Sequence, residues 1–291
     1  GLGQVPQEAL LSWVWRIPFL ASILLIGVAV LIRLRLQESP TFVKLEKQEQ
    51  VAHNPLGEVF RRSTPSVLRG IGLRMAENGG SYIYQTLAIT YVSKLGVQTS
   101  VGPLAVAVGA ILGLVTIPVS GALSDKYGRM RIYRIGALVQ LALALVAWPL
   151  LSTGNAVVTV VVIAISYGVG VNIMLGAQCA ALPELFGSRH RYIGVAVARE
   201  FSAIIAGGIA PFVGALLLGW FANSWIPLAV YVIVLTVITL VTTFFTPETR
   251  GRDLTLLGDA LADSSQEIAA RPAPQTSSFR DHHDTERPVA V

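Results

Sequence analysis

Charge is what this sequence has least of. Of 291 residues, 13% are Asp, Glu, Lys or Arg, about half of the roughly 25% found in soluble globular domains. Apolar residues make up 53% and the mean hydropathy is +0.62, which moves the reading from a soluble domain to a membrane protein. Cysteine is also nearly absent. The lone Cys179 excludes an internal disulfide; inside an apolar stretch it reads as a small packed residue. Enzyme signatures are missing: there is no G-x-S-x-G, no H-E-x-x-H and no Gly-rich loop after a strand. The pair His282-His283 is only a weak metal hint, and no metal or cofactor is expected. No basic leader precedes an apolar run, so the signal-peptide pattern is absent. The chain begins Gly1-Leu2-Gly3 without a Met, which reads as a missing start. The net charge of +5 and pI near 9.6 raise the question of nucleic acid. Such a protein gathers its basic residues on one soluble face. Here they sit in short segments between apolar runs, so no nucleic-acid partner is expected.

What is present in quantity is long uncharged runs. A spanning helix takes about 20 apolar residues. The first run is Ile17–Ile32, then Val67–Val92 with internal polar groups, then Val101–Leu123. Between Arg134 and Glu184 no residue is charged, and Ser152-Thr153-Gly154-Asn155 breaks that stretch with turn residues. Between Glu200 and Glu248 another uncharged stretch breaks near Gly219–Trp225. The reading is an all-α membrane protein with seven transmembrane helices. Runs this long do not alternate, which excludes a β-barrel pattern. Pro118, Gly207, Gly208 and Pro211 lie within spans, where such residues are tolerated.

Basic residues give the orientation. Arg33, Arg35, Lys44, Lys47, Arg61, Arg62, Arg69, Lys126, Arg129, Arg131, Arg134, Arg189, Arg191, Arg250 and Arg252 flank one side, and Arg16 and Lys94 the other. The richer side is expected to be cytoplasmic, with the amino end outside and the carboxyl end inside. The tryptophans (13, 15, 148, 220 and 225) fall at the expected outer boundary. The expected organisation is an outer segment and first span at 1–32, a cytoplasmic loop at 33–66 with a helical pattern at Val43–Gln50, a six-helix bundle at 67–246, and a polar, disordered tail at 247–291.

Three segments carry further information. Gly121-Ala122-Leu123-Ser124-Asp125-Lys126-Tyr127-Gly128-Arg129-Met130-Arg131 makes a tight turn between two helices. Gly121 allows close helix approach, Asp125 accepts hydrogen bonds or pairs with an Arg, and Gly128 supplies an unusual backbone angle. Its G-x-L-x-D-x-x-G-R-x-R spacing resembles the major facilitator signature between helices eight and nine. Pro183-Glu184-Leu185-Phe186-Gly187-Ser188-Arg189-His190-Arg191 resembles that family's P-E-x-F-x-x-R-x-R segment. Pro247-Glu248-Thr249-Arg250-Gly251 resembles its P-E-T-[KR]-G segment, and Trp15–Phe19 with Arg33–Phe42 resemble helix six and the start of the central loop. The metabolite:proton symporters are the most similar subgroup; sugar porters share P-E-T-[KR]-G, but their glutamine-rich helix-seven pattern is absent. The resemblance implies a twelve-helix parent of two halves, of which this chain supplies helices six to twelve. It also implies a substrate pathway between the halves near the midplane and a partner in the missing first half. Small-molecule substrate, protons and the lipid bilayer complete the expected partners.

Ionisable groups inside a span need a reason. Arg74, Glu77, Asn78, Ser81 and Gln85 share one helical face by i, i+3, i+4 spacing. With Tyr84, they are candidates for proton or substrate handling; the alternative is an Arg74–Glu77 pair that only stabilises packing. Asn172 and Gln178 are candidate pathway donors. Arg199 and Glu200, about two turns into the sixth span, point in different directions and read as a gate or a pairing with a neighbouring helix. Gly121, Asp125, Gly128, Arg129, Arg131, Glu184, Arg189 and Arg191 are the expected conformational set, with Asp125 and the Arg-rich turn pairing toward the missing half. A seven-helix receptor is the rival from another class. It needs a D-R-Y-like triplet after helix three and N-P-x-x-Y in helix seven, and neither is here.

Overall fold

The computed structural model describes residue 13 and residues 16–35, 55–221 and 224–261, all helix, turn or coil without a strand among them. These residues form eight helical runs: α1 (Ile17–Arg35), the short α2 (Pro55–Arg62), α3 (residues 64–94), α4 (Val101–Tyr127), α5 (Arg129–Leu151), α6 (Ala156–Leu185), α7 (Arg191–Trp220) and α8 (Ile226–Phe245). Helices α4 to α8 are each long and apolar enough to cross a bilayer. Helix α3 carries Arg69, Arg74 and Glu77, and α1 stands with its described side chains exposed. The segment at 43–50 and the tail beyond 261 lie outside the described residues.

The turns reflect local chemistry. The break at 152–155 is where expected: Asn155 caps α6, its Oδ1 accepting from the N–H groups of Val157 and Val158 at 2.9 and 3.2 Å, which satisfies two otherwise orphaned donors. Gly128 separates α4 from α5 at φ +110°, a backbone conformation in which a Cβ is strained.

Side chains are distributed inside-out relative to a soluble protein. Leu24, Leu114 and Val157 point outward with more than 70% exposure, while Arg74, Glu77, Gln140, Asn172 and Gln178 are buried. Water would expel those leucines and solvate those polar groups; a hydrocarbon surround does the reverse. Helix α3 packs against α7 and α8, and α6 against α4 and α5. Small residues set the closest approach. A Cβ on Gly176 of α6 would collide with the Ser120 hydroxyl and the Ile117 carbonyl of α4, and Gly121 of α4 faces the Gly176 carbonyl.

Three π-helical turns interrupt the bundle: Ile83–Leu87 in α3, Ser166–Val171 in α6 and Ala203–Gly208 in α7. A π turn inserts a residue and rotates the helix beyond it. That is why the helical face expected over residues 74–85 does not run straight.

Two expectations about packing are corrected. Trp148 lies toward the far end of α5, yet it is fully buried and not in an interfacial belt. Cys179 is exposed, because the face of α6 that bears it is not covered by another described helix.

Candidate functional site

A buried polar cluster joins α3, α6 and α7. Arg74 donates in three directions: Nε to the Ser202 hydroxyl at 3.0 Å, one terminal nitrogen to Gln178 Oε1 at 2.6 Å, the other to Asn78 Oδ1 at 3.3 Å. The nitrogen that meets Gln178 also lies 3.4 Å from Glu77 Oε2. Gln178 closes the circuit, its Nε2 donating to Glu77 Oε2 at 2.5 Å and approaching the Tyr133 hydroxyl of α5 at 3.4 Å. Asn78 Nδ2 donates to Ser202 Oγ at 2.8 Å. Arg74 is 5% exposed and Glu77 7%, so the pair is shielded from solvent. Arg74, Glu77, Asn78, Gln178 and Ser202 lie seven to fourteen residues in from the arginine-rich ends of their helices, roughly 10–21 Å at 1.5 Å per residue, and the two opposite charges cancel.

Arg74, Glu77, Asn78 and Gln178 are thus brought together. Ser81 and Gln85 are only half-buried one and two turns on. Tyr84 lies apart from the cluster: it is fully buried and stacks on Trp148 with ring centroids 6.4 Å apart, within the π turn. Asn172 is buried with its amide against Gly113 of α4, apart from the cluster. Arg199 and Glu200 are both exposed, so the expected contact with a neighbouring described helix is not formed. Ser202 and Tyr133 complete the cluster, and nothing in the sequence marked them.

A second assembly sits at the arginine-rich end, where all three motif segments converge. Arg129 reaches Glu184 with two nitrogens at 3.0 and 3.2 Å, the Ser124 hydroxyl at 2.8 Å, and Asp125. Glu184 also accepts from the Thr249 hydroxyl at 2.7 Å. Glu248 caps the start of α5, accepting from the N–H groups of Arg129 at 2.7 Å and Met130 at 3.1 Å; a carboxylate there also meets the positive end of the helix dipole. The Arg-rich turn was expected to pair toward a missing half. Arg129 is instead committed within this bundle, while Arg131 is exposed. Arg189 lies 3.2 Å from Glu58 of α2, and Arg191 donates to the carbonyls of Pro183 and Leu254 at 3.0 and 2.8 Å.

Residues 247–261, part of the tail expected to be disordered, are held in place by tertiary contacts. Arg252 holds them by donating to the Glu184 carbonyl at 2.8 Å, and the Ala260 N–H donates to the Leu185 carbonyl at 3.1 Å. Asp259 accepts from the Ser66 hydroxyl, the Gly187 N–H and His190 Nε2 at 2.7, 2.9 and 3.1 Å. Burial alone would raise the Asp259 carboxyl, but hydrogen bonds from His190, Gly187, Ser66 and Ser63 outweigh it and hold it below the usual carboxylate range. A depressed native value stabilises the strap above the ordinary carboxylate pKa, and that contribution is lost as pH falls through the native value. Hydrogen exchange at 252–261 is therefore expected to stay slow from pH 8 to pH 5 and to quicken below the ordinary value of 3.8. Asp259→Asn should quicken it at neutral pH, and unchanged protection in that variant would remove Asp259 as the clamp.

The sequence profile of the Major Facilitator Superfamily matches residues 7–208. The chain belongs to that superfamily. It is a multi-pass membrane protein with a helical bundle of the major facilitator type. It is 33% identical to protein YdfJ of Escherichia coli (strain K12) over 277 residues, 92% of this chain and 63% of that protein. It is 29% identical to the shikimate transporter of the same organism over 233 residues, 78% of this chain and 52% of that one. It is also 30% identical over 291 residues to the glycine betaine/proline/ectoine/pipecolic acid transporter OusA of Dickeya dadantii (strain 3937), covering 96% of this chain and 56% of OusA. The chain therefore spans between half and two thirds of these relatives. These relatives carry transporter names, not enzyme names, and the superfamily match removes the receptor reading.

Proposed function

We propose that this chain is the larger part of a proton-coupled symporter for a small organic acid or zwitterionic metabolite, acting together with a preceding first half. The observation that carries the reading is the buried Arg74–Glu77 pair held among neutral amides and hydroxyls. A lone guanidinium at this depth is unfavourable by several kcal/mol, and so is a lone carboxylate. Two loadings are neutral: Arg74 with ionised Glu77, or Arg74 with protonated Glu77 and the carboxylate of a substrate. Proton and carboxylate then enter and leave together, which is symport. A sugar has no carboxylate to restore neutrality, so the cluster favours acids and zwitterions; shikimate and betaine transporters among the relatives agree.

The excess of Lys and Arg at one end supports a cytoplasmic position for it in the cell membrane, with the buried clasp of Arg129 and Glu184 stabilising one access state. The span count reaches seven if α1 and α3 cross as well. Uptake by the full-length protein should be assayed across organic acids, betaines and sugars, with and without a proton uncoupler. Accumulation of a carboxylate compound that collapses with the uncoupler is expected. Accumulation indifferent to the uncoupler, or confined to sugars, would overturn the reading.

A further inference from the structure

Several arginines at the basic end have partners within the described bundle, and several do not. Arg62, Arg129 and Arg189 are matched to carboxylates, and Arg191 and Arg252 to backbone carbonyls. Arg69, Arg131 and Arg134 are among those that meet no carboxylate among the described residues; Arg69 and Arg134 touch the end of α8, and Arg131 precedes Arg134 by one turn of α5. Arg69 of α3 donates Nε to the Phe245 carbonyl at 2.7 Å, closing the negative end of α8. Arg134 of α5 lies over the Phe244 ring, 5.0 Å from its centroid, while its own Nε is buried without an acceptor. Arg131 is exposed one turn earlier on the same face of α5. Glu248, the nearest acid in sequence to α8, is occupied by the N–H groups that start α5.

Leading to these arginines is an apolar track along α8. Val234, Val237, Val241, Phe244 and Phe245 are all exposed, the two phenylalanines by about two thirds. Together they form a hydrocarbon-facing stripe that ends under guanidinium groups, one of which has an unmet buried donor.

We infer that the basic end of α8, between α5 and α3, is a binding site for an anionic phospholipid. Its acyl chains lie along Val234–Phe245 and its phosphodiester is taken by Arg134 and Arg131, with Arg69 completing the positive field. Guanidinium forks match phosphate oxygens in geometry as well as charge, and basic pockets between helices at the inner leaflet suit acidic headgroups. The phosphate supplies the acceptor that Arg134 Nε lacks. A zwitterionic choline headgroup brings its own cation next to the phosphate and competes with the arginines, so it binds less well.

The test uses the purified full-length protein in detergent, with added phosphatidylglycerol, phosphatidylcholine or inorganic phosphate. Thermal unfolding and native mass spectrometry are the readouts. Phosphatidylglycerol is expected to raise the unfolding midpoint by several degrees more than phosphatidylcholine and to be retained in the mass spectrum. Arg131→Gln with Arg134→Gln should lose most of that difference, while Arg62→Gln, whose partner is Glu58, keeps it. Equal effects of the two lipids on the wild type overturn the inference without reference to any variant's folding. So does a phosphatidylglycerol preference that survives the double substitution. Stabilisation by inorganic phosphate equal to that by phosphatidylglycerol overturns the lipid as the occupant.

Discussion

Glu77→Gln is expected to reduce substrate accumulation by the full-length protein to the equilibrium level while leaving membrane insertion intact. Glutamine keeps the shape of the side chain and can still meet Gln178, which now contacts Glu77 Oε2 at 2.5 Å. What it removes is the alternation between a charged and a neutral state. In the mechanism proposed above, a substrate carboxylate competes with Glu77 for Arg74, and the proton on Glu77 decides the contest. In the variant Arg74 is always free to take a carboxylate, so binding no longer requires a proton on residue 77. Exchange of labelled for unlabelled substrate across the membrane should persist, because it needs no net proton movement. The energetic scale is adequate: an unpaired buried charge costs about 3–5 kcal/mol, and each 1.4 kcal/mol is a factor of ten in occupancy. The measurement is a comparison of net uptake with exchange, each normalised to protein in the membrane. Uphill uptake at the wild-type level would take Glu77 out of the mechanism and return the pair to a packing role. Loss of exchange together with uptake would point to damaged folding instead, and Glu77→Asp would then separate charge from shape.

Much of this arrangement was legible in the sequence, and the limits have physical reasons. Span positions are written in contiguous composition, so the helices and the Asn155 turn are readable residue by residue. Close neighbours on one helix are written in spacing, which is why Arg74, Glu77 and Asn78 could be grouped. Ser202 and Tyr133 could not be found that way, since a serine and a tyrosine in apolar runs have no mark until α3, α5, α6 and α7 are packed. The face predicted to run from Arg74 to Gln85 is bent at the π turn over 83–87, where the helical period changes with nothing in composition to announce it. The strap at 252–261 looked disordered because it is polar and turn-rich. Its order comes from Arg252 and Asp259 satisfying backbone groups at the ends of other helices, a tertiary effect. The three motif segments were each recognisable, but their convergence on Arg129 was not. Two of its contacts, to Ser124 and Asp125, are local; the third, to Glu184, lies 55 residues away.

That convergence makes Arg129 the residue whose loss should most reduce stability. Its side chain is 9% exposed, and that of Glu184 12%, so neither charge is well screened by water. Arg129→Gln leaves Glu184 with the Thr249 hydroxyl as its remaining side-chain donor at 2.7 Å, an uncompensated carboxylate close to the hydrocarbon. Breaking such a pair from one side costs about 3–5 kcal/mol. At 2–4 °C per kcal/mol for a chain of this size, the unfolding midpoint should fall by roughly 6–20 °C. Removing both charges is a different experiment. Arg129→Gln with Glu184→Gln leaves two neutral amides that can hydrogen-bond each other, so the double variant should be more stable than the single one. The difference is the coupling energy of the pair. If the clasp is instead a loose surface ion pair, both single variants will stay within a degree or two of the wild type and the double variant will show no recovery. The same variants carry a functional readout. If the clasp stabilises the state in which the arginine-rich end is closed, then in the full-length protein Arg129→Gln will increase labelling of the exposed Cys179 by a maleimide added from that side. A variant that is destabilised but unchanged in labelling would confine Arg129 to holding the bundle together.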